Sequence, residues 1–256
     1  MRLNKLLALK GLCSRREADK LIKDQLVTIN GEFTSPGYQV IENDKVQVKS
    51  PDHKILADFI FQENIAEAEF EKIYLALNKP VNIECTCNSE IKNNIIDFLR
   101  KDPEFRKLEE RYKKRNKSQL RLFHVGRLDK NSRGLILLTN DGELSQKLMH
   151  PSHEHEKEYL VTVDKKISQD FIDKLSAGVT ISRDKKEDKV KTLPCIVRKV
   201  SSNSFKIILK QGYKRQIRKS CKVLGYEVED LYRFRIEDVN IDTSHKLDES
   251  KFLRIY

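Results

Sequence analysis

The chain has 256 residues, room for one or two domains, and carries 50 Lys and Arg against 39 Asp and Glu, a net charge of +11. A basic excess of that size points to a polyanionic partner, with nucleic acid the foremost class. No apolar run approaches the roughly 20 residues of a membrane-spanning helix, and the opening MRLNKLLALKG is too short and too charged for a secretory signal, so a cytoplasmic protein with no membrane attachment is expected.

Leu3, Leu6 and Leu7 recur at helical spacing, and Gly11 is a natural stop. Ser14 then caps a second helix, SRREADKLIKD, with Glu17 completing a capping box. That helix buries Ala18, Leu21 and Ile22 and turns Arg15, Arg16, Lys20 and Lys23 outward. VTINGE reads as a strand and Asn-Gly turn, and QVIENDKVQV supplies further strand signal, so residues 1–48 form a first unit. Residues 49–71 are expected to be a linker that also packs, since Ile55, Leu56, Phe59, Ile60 and Phe61 are apolar. A second unit, residues 72–256, opens with the strand KIYLALNKP.

Within that unit, residues 101–121 form a basic insertion. Phe105, Leu108 and Tyr112 recur at i, i+3 and i+7, a helical pattern, while Arg111, Lys113, Lys114, Arg115, Lys117 and Arg121 have no acid among them. The segment is either an RNA-gripping arm or a solvated insertion. GLILLTNDGEL reads as a buried strand, a turn and a helix, and Asp129 sits in the loop entering that strand, between Arg127 and Lys130. An Asp there is a turn former, a surface ion pair or a catalytic carboxylate. HEKEYLVTVDKKI is a strand with Tyr159, Val161 and Val163 on one face, preceded by Lys157. QGYKRQIRKSCK is expected to be a turn and a helix crowded with Lys214, Arg215, Arg218, Lys219 and Lys222, a set that calls for a facing anion, either phosphate or a buried carboxylate.

Metal chemistry finds little support. His150, His153 and His155 follow i, i+3, i+5 spacing around Pro151, which no single helix or strand face presents, so no metal is expected. Cys13, Cys85, Cys87, Cys195 and Cys221 are an odd, scattered set and read as reduced thiols.

The order helix, helix, V-x-I-N-G, strand resembles the S4 RNA-binding domain, with GLCSRREADKLI and VTINGE carrying the match. That resemblance implies RNA contact through Lys5, Arg15, Arg16 and Lys20, reading shape and phosphate more than sequence. Farther on, GRLDKNSRGLILLTNDGEL, KEYLVTVD and QGYKRQIRK, in that order, resemble the RsuA/RluA-type pseudouridine synthases. With an S4 domain in front they are most similar to the RsuA branch, and HEKEYLVTVDK to its F-type member acting on 23S ribosomal RNA.

The resemblance implies an α+β fold: a small S4 domain, then a catalytic domain with a mostly antiparallel mixed sheet flanked by helices. It implies isomerisation of uridine to pseudouridine in RNA, with 23S ribosomal RNA the expected partner and transfer RNA a further one, by a monomer that needs no cofactor. Asp129 would be the catalytic carboxylate, Arg218 its salt-bridge partner with Arg215 the second choice, and Tyr159 would stack on the target uracil or serve the proton transfers. Arg127 would fill the place of the flipped-out base, while Lys157 and Lys79 would either touch backbone phosphate or be ordinary surface lysines.

The chain departs from the family pattern in several places. Asn82 stands where glycine is usual after Lys-Pro-x, Ser220 where methionine is usual, and Tyr213-Lys214 where Asn usually precedes the arginine; the basic C-terminal tail of the F-type member is missing from this sequence. Two other classes remain open on sequence alone. A non-catalytic S4-type RNA-binding or ribosome-assembly protein would use the basic surface only. A glycoside or nucleoside hydrolase would need a second carboxylate, for which Asp141 and Glu143 are available.

Overall fold

A computed structural model describes residues 1–62, 71–88, 90–116, 118–149, 155–183, 188–241 and 247–255. The chain folds into two compact units, Met1–Lys72 with Arg100–Arg121, and Ile73–Leu99 with Leu122–Tyr256.

In the first unit, α1 (Leu3–Leu9) and α2 (Arg15–Lys23) pack on a four-stranded antiparallel sheet of β1 (Val27–Ile29), β2 (Glu32–Phe33), β3 (Lys45–Lys49) and β4 (Ile55–Ile60), in the order β2-β1-β3-β4. The expected capping box is present: Glu17 N–H donates to Ser14 Oγ at 3.2 Å and Ser14 N–H to the Glu17 carboxylate at 2.6 Å. Leu3, Leu6, Leu7, Ala18, Ile22, Val27, Ile29, Val46 and Val48 form its core. The segment expected to be a linker contributes β4 as an edge strand, because Phe61 enters this core and Ala57 and Phe59 pack against it. Ile55, Leu56 and Ile60 remain exposed.

The basic insertion also differs from its expected grouping. In sequence it interrupts the second unit, but in space it belongs to the first. Its helix, α4 (Pro103–Asn116), buries Phe105, Leu108 and Tyr112, the three residues whose spacing announced it. Asn116 accepts from Glu71 N–H at 3.0 Å, Arg115 pairs with Glu71 at 3.4 Å, and Arg121 pairs with Glu17 of the capping box at 3.3 Å.

The second unit is built on a nine-stranded mixed sheet. Its main path runs β11 (Ile196–Lys199), β12 (Ser204–Leu209), β8 (Lys157–Val163), β13 (Val228–Ile236), β7 (Arg133–Thr139), β5 (Tyr74–Lys79), β15 (Phe252–Arg254). β6 (Phe123–Val125) pairs with β7, and β14 (Val239–Asn240) with β13. Among the described strands only β7 and β13 run parallel. The helices are α3 (Ile95–Leu99), α5 (Gly142–Met149), α6 (Gln169–Ser176) and α7 (Gln216–Val223), with a small hairpin of β9 (Thr180–Ser182) and β10 (Lys189–Lys191).

Strand alternation sends neighbours to opposite faces. Val161, Val163, Phe205, Ile207 and Leu231 join Phe171, Ile217 and Cys221 of α6 and α7 on one face. Ala76, Leu135, Leu137, Tyr232, Phe234 and Ile236 form a core on the other. Among the described residues no helix is long and apolar enough to cross a membrane.

Candidate active site

Strand register lays out one row across the sheet. Tyr159 of β8 is paired with Arg233 of β13, Arg233 with Gly134 of β7, and Gly134 with Lys79 of β5. Tyr159, Arg233 and Lys79 therefore share a face, interrupted by a residue with no side chain. Gly134 is required there. Its φ is +106°, and a Cβ at that position would lie 2.1 Å from the Arg233 carbonyl oxygen.

Both cations of the row are buried, Lys79 fully and Arg233 to 2% exposure. Backbone carbonyls take up their protons. Lys79 Nζ donates to Pro80 O at 2.8 Å and Ile83 O at 2.9 Å. Arg233 donates to Leu135 O at 2.7 Å and to Arg127 O at 3.4 Å, while its Nη2 has no partner among the described residues. The Arg233 guanidinium lies 6.0 Å from the centre of the Tyr159 ring. Burial pulls the Lys79 ammonium down to about 8, reinforced by Arg233 and opposed by Cys85 and Asp129.

The loop carrying Asp129 is pinned from several directions. Arg233 holds the Arg127 carbonyl, and Leu128 N–H points at Cys85 Sγ, 3.4 Å away. Asn82 N–H donates to Lys130 O at 2.8 Å, and Ser132 N–H returns to Asp129 O at 3.0 Å. Asn82 has φ +67°, the left-handed conformation that its glycine-like place demands and that asparagine tolerates. From the helix side Arg218 donates to Asn131 O at 2.8 Å, to Ser132 Oγ at 3.4 Å and to Val228 O at 2.8 Å. The main chain around Asp129 is thus tied to the segment after β5, to β13 and to α7, and its carboxylate stays 31% exposed.

The ion pair to that carboxylate differs from the sequence expectation. Arg215 Nη1 lies 3.8 Å from Asp129 Oδ2, whereas Arg218 uses its guanidinium on the loop backbone. The reason is local. Arg215 is the residue before α7 and adopts φ +55°, a left-handed conformation uncommon for a residue with a Cβ. The turn ahead of it is locked by Gln216, whose side chain accepts from Tyr213 N–H at 3.0 Å and donates to Gln211 at 3.3 Å. Lys214 and Arg215 precede the helix instead of lying on it, and Lys219 is drawn to the carbonyls of Ser182 and Arg183.

The remaining expected residues divide by environment. Arg127 is exposed, and its side chain makes no hydrogen bond or ion pair among the described residues. Tyr159 is half-buried against the α6–α7 core. Lys157 is half-buried and donates to His155 O at 2.7 Å, so its charge is committed to backbone and held below its ordinary value by burial and by Arg233. Lys79 has no surface at all and is not placed to meet phosphate. Arg15, Arg16 and Lys20 are exposed on α2 in the first unit, and Lys5 is half-buried.

Asp141 caps α5, accepting from Glu143 N–H at 3.0 Å, Leu144 N–H at 3.1 Å and the Tyr74 hydroxyl at 3.0 Å. That commitment removes it as the second carboxylate of a hydrolase. Among the described residues no group of His, Cys, Asp and Glu could hold a metal ion; His150 and His153 lie outside them. Arg233 is the member of this row that the sequence motifs do not single out, and it holds the loop through the Arg127 carbonyl. Its signal is the first of two arginines, Arg233 and Arg235, set among the apolar residues of LYRFRI.

Comparison with known proteins bears on this arrangement. The family described as RNA pseudouridylate synthase matches residues 60–222, and the S4 domain matches residues 1–46. The dual-specificity RNA pseudouridine synthase RluF of Escherichia coli (strain K12) is 40% identical over 241 residues, covering 94% of this chain and 71% of that protein. Ribosomal large subunit pseudouridine synthase B of Bacillus subtilis (strain 168) is 28% identical over 249 residues, covering 96% and 90%. A crystal structure of a pseudouridylate synthase superposes with a TM-score of 0.61 at 25% identity, covering 100% of this chain and 96% of that one. The chain belongs to the RNA pseudouridylate synthase family, as an enzyme that isomerises uridine in RNA and carries an S4 domain at its N-terminal end.

Proposed function

We propose that the enzyme converts a specific uridine of 23S ribosomal RNA to pseudouridine in the cytoplasm, with transfer RNA as a second substrate, and that Asp129 is its catalytic carboxylate. The substrate reading rests on the relatives, one named dual-specific and one named for the large ribosomal subunit. The observation that carries the site assignment is the Asp129 loop: backbone pinned on several sides, carboxylate partly exposed, and the Arg215 guanidinium 3.8 Å away to orient it.

The reaction breaks the C1′–N1 bond and forms a C1′–C5 bond; C5 loses its proton and N1 gains one, so substrate and product are isomers and no cofactor enters the balance. The target base has to leave its stack to reach Asp129. Arg127, exposed two residues before Asp129, suits the vacated place because a planar guanidinium both stacks and meets phosphate. Tyr159, fixed in the row beside Arg233, offers a ring for the flipped uracil. Arg218 serves as a positioning residue through Asn131 O, and Arg215 takes the ion-pairing part. Arg15, Arg16, Lys20 and Lys5 of the S4 unit would hold backbone phosphate, with Lys157 contributing charge at longer range.

A binding-only role accounts for the S4 unit but gives no reason for an acid held in so constrained a loop. The test is tritium release from 23S ribosomal RNA transcribed with 5-tritiated uridine. Asp129→Asn is expected to abolish release while RNA affinity, set mainly by phosphate contacts elsewhere, stays within about twofold. Retained turnover would sink the assignment.

A further inference from the structure

The family's fold and site leave helix α4 unexplained. It is tied to the S4 unit at its C-terminal end by Asn116 and Arg115 on Glu71, and the chain after it by Arg121 on Glu17. A Cβ on Gly11, in the turn between α1 and α2, would lie 2.6 Å from Gln119 O, so the returning segment lies directly on that turn. The apolar residues Phe105, Leu108 and Tyr112 are all buried, which leaves an outer face of charge alone.

On that face Lys107, Glu110, Arg111, Lys114 and Arg115 line a shallow depression of about 490 Å³. Their spacing, i, i+3, i+4, i+7 and i+8, places them along one side of the helix over about 12 Å. Three nearby acids are already matched, Glu104 with Lys107 at 2.7 Å, Glu109 with Arg100 at 3.0 Å and Glu71 with Arg115, while Glu110 lies within the depression itself. Arg106, Arg111, Lys113 and Lys114 form no ion pair among the described residues.

We propose that this face of α4 is a second RNA-phosphate grip within the S4 unit, in addition to the basic residues of α2. The proposal rests on RNA being the substrate. A protein partner fits the face poorly, because protein interfaces are depleted in Lys and Glu at their centres and need an apolar anchor that α4 does not present. Phosphate needs only closely spaced cations, and an exposed pair such as Lys107–Glu104 gives way to it readily.

The grip is read from the salt dependence of RNA binding by the full chain, using a 23S ribosomal RNA transcript between 50 and 300 mM KCl. Changing Lys107, Arg111 and Lys114 together to Gln keeps helix-forming residues and should lower the slope of log affinity against log salt by about 2–3, at roughly one per phosphate contact. Affinity should fall at least about tenfold at 100 mM KCl. Glu110→Gln removes the one acid of the depression and should tighten binding about twofold. An unchanged slope in the triple variant overturns the proposal, even if affinity falls, because a structural defect alone would not release fewer counterions. Non-specific RNA reports the same slope, so a wild-type protein that fails to modify 23S ribosomal RNA would count against the substrate assignment and leave this result readable.

Discussion

Helix α4 and the Tyr159–Arg233–Gly134–Lys79 row use the same kinds of cation in opposite surroundings. On α4 the ammonium and guanidinium groups face water, where they are equally well solvated before and after folding, so each adds little to stability. In the row Lys79 and Arg233 have left water and donate to the carbonyls of Pro80, Ile83, Leu135 and Arg127, with Arg233 Nη2 alone of the guanidinium nitrogens lacking a partner among the described residues. A buried cation satisfied by main chain fixes the shape of that main chain. The outer set tunes how firmly an anion is held, whereas the inner set determines where the Asp129 loop can sit.

The contrast is challenged most directly at Gly134, where the two buried cations meet across a residue without a side chain. Gly134→Ala adds a Cβ 2.1 Å from the Arg233 carbonyl at a backbone φ of +106°. A loss of about 3 kcal/mol or more is expected in urea unfolding, combining overpacking with backbone strain. A loss below about 1 kcal/mol would mean that β7 and β13 separate freely.

Lys79 extends the contrast through pH. Its folded value of about 8 lies below the ordinary 10.5. Below pH 8 both folded and unfolded chains hold the proton, and the cost of burying the charge is present in full. Between about 8 and 10.5 the native state sheds the proton while the unfolded chain keeps it, so this group makes stability rise with pH across that window, by roughly 3 kcal/mol. Unfolding midpoints of wild type and Lys79→Met, compared from pH 7.5 to 10.5, should diverge in slope; parallel curves would show that Lys79 does not titrate there.

The smallest effect belongs to the exposed set. Lys113→Gln on α4 should change unfolding free energy by no more than about 0.5 kcal/mol. A larger loss would place Lys113 in a contact that its exposure does not suggest.

Local features are legible in the order of residues alone. The Ser14–Glu17 box, the helix announced by Phe105, Leu108 and Tyr112, the strand-turn-helix around Asn140-Asp141-Gly142, and the left-handed turn at Asn82 all depend on residues a few positions apart. Less legible is the partner of Asp129. Arg215 and Arg218 are three residues apart and chemically alike, and the choice turns on where α7 begins and on a left-handed backbone at Arg215. Lys157 and Lys79 read as surface cations because lysine usually is exposed, yet both end on backbone carbonyls.

Ordered motifs and short-range pattern were enough to establish the family, the S4 unit, the mostly antiparallel α+β architecture and Asp129 as the acid worth testing. Three further matters were settled only in the folded chain: that residues 101–121 group with the first unit, that β4 closes its sheet, and that Arg233 reaches the Asp129 loop across a glycine in the neighbouring strand. Each depends on pairing between segments well separated along the chain. Strand register sets that pairing through the packing of both faces of a sheet, and no local stretch of residues encodes it.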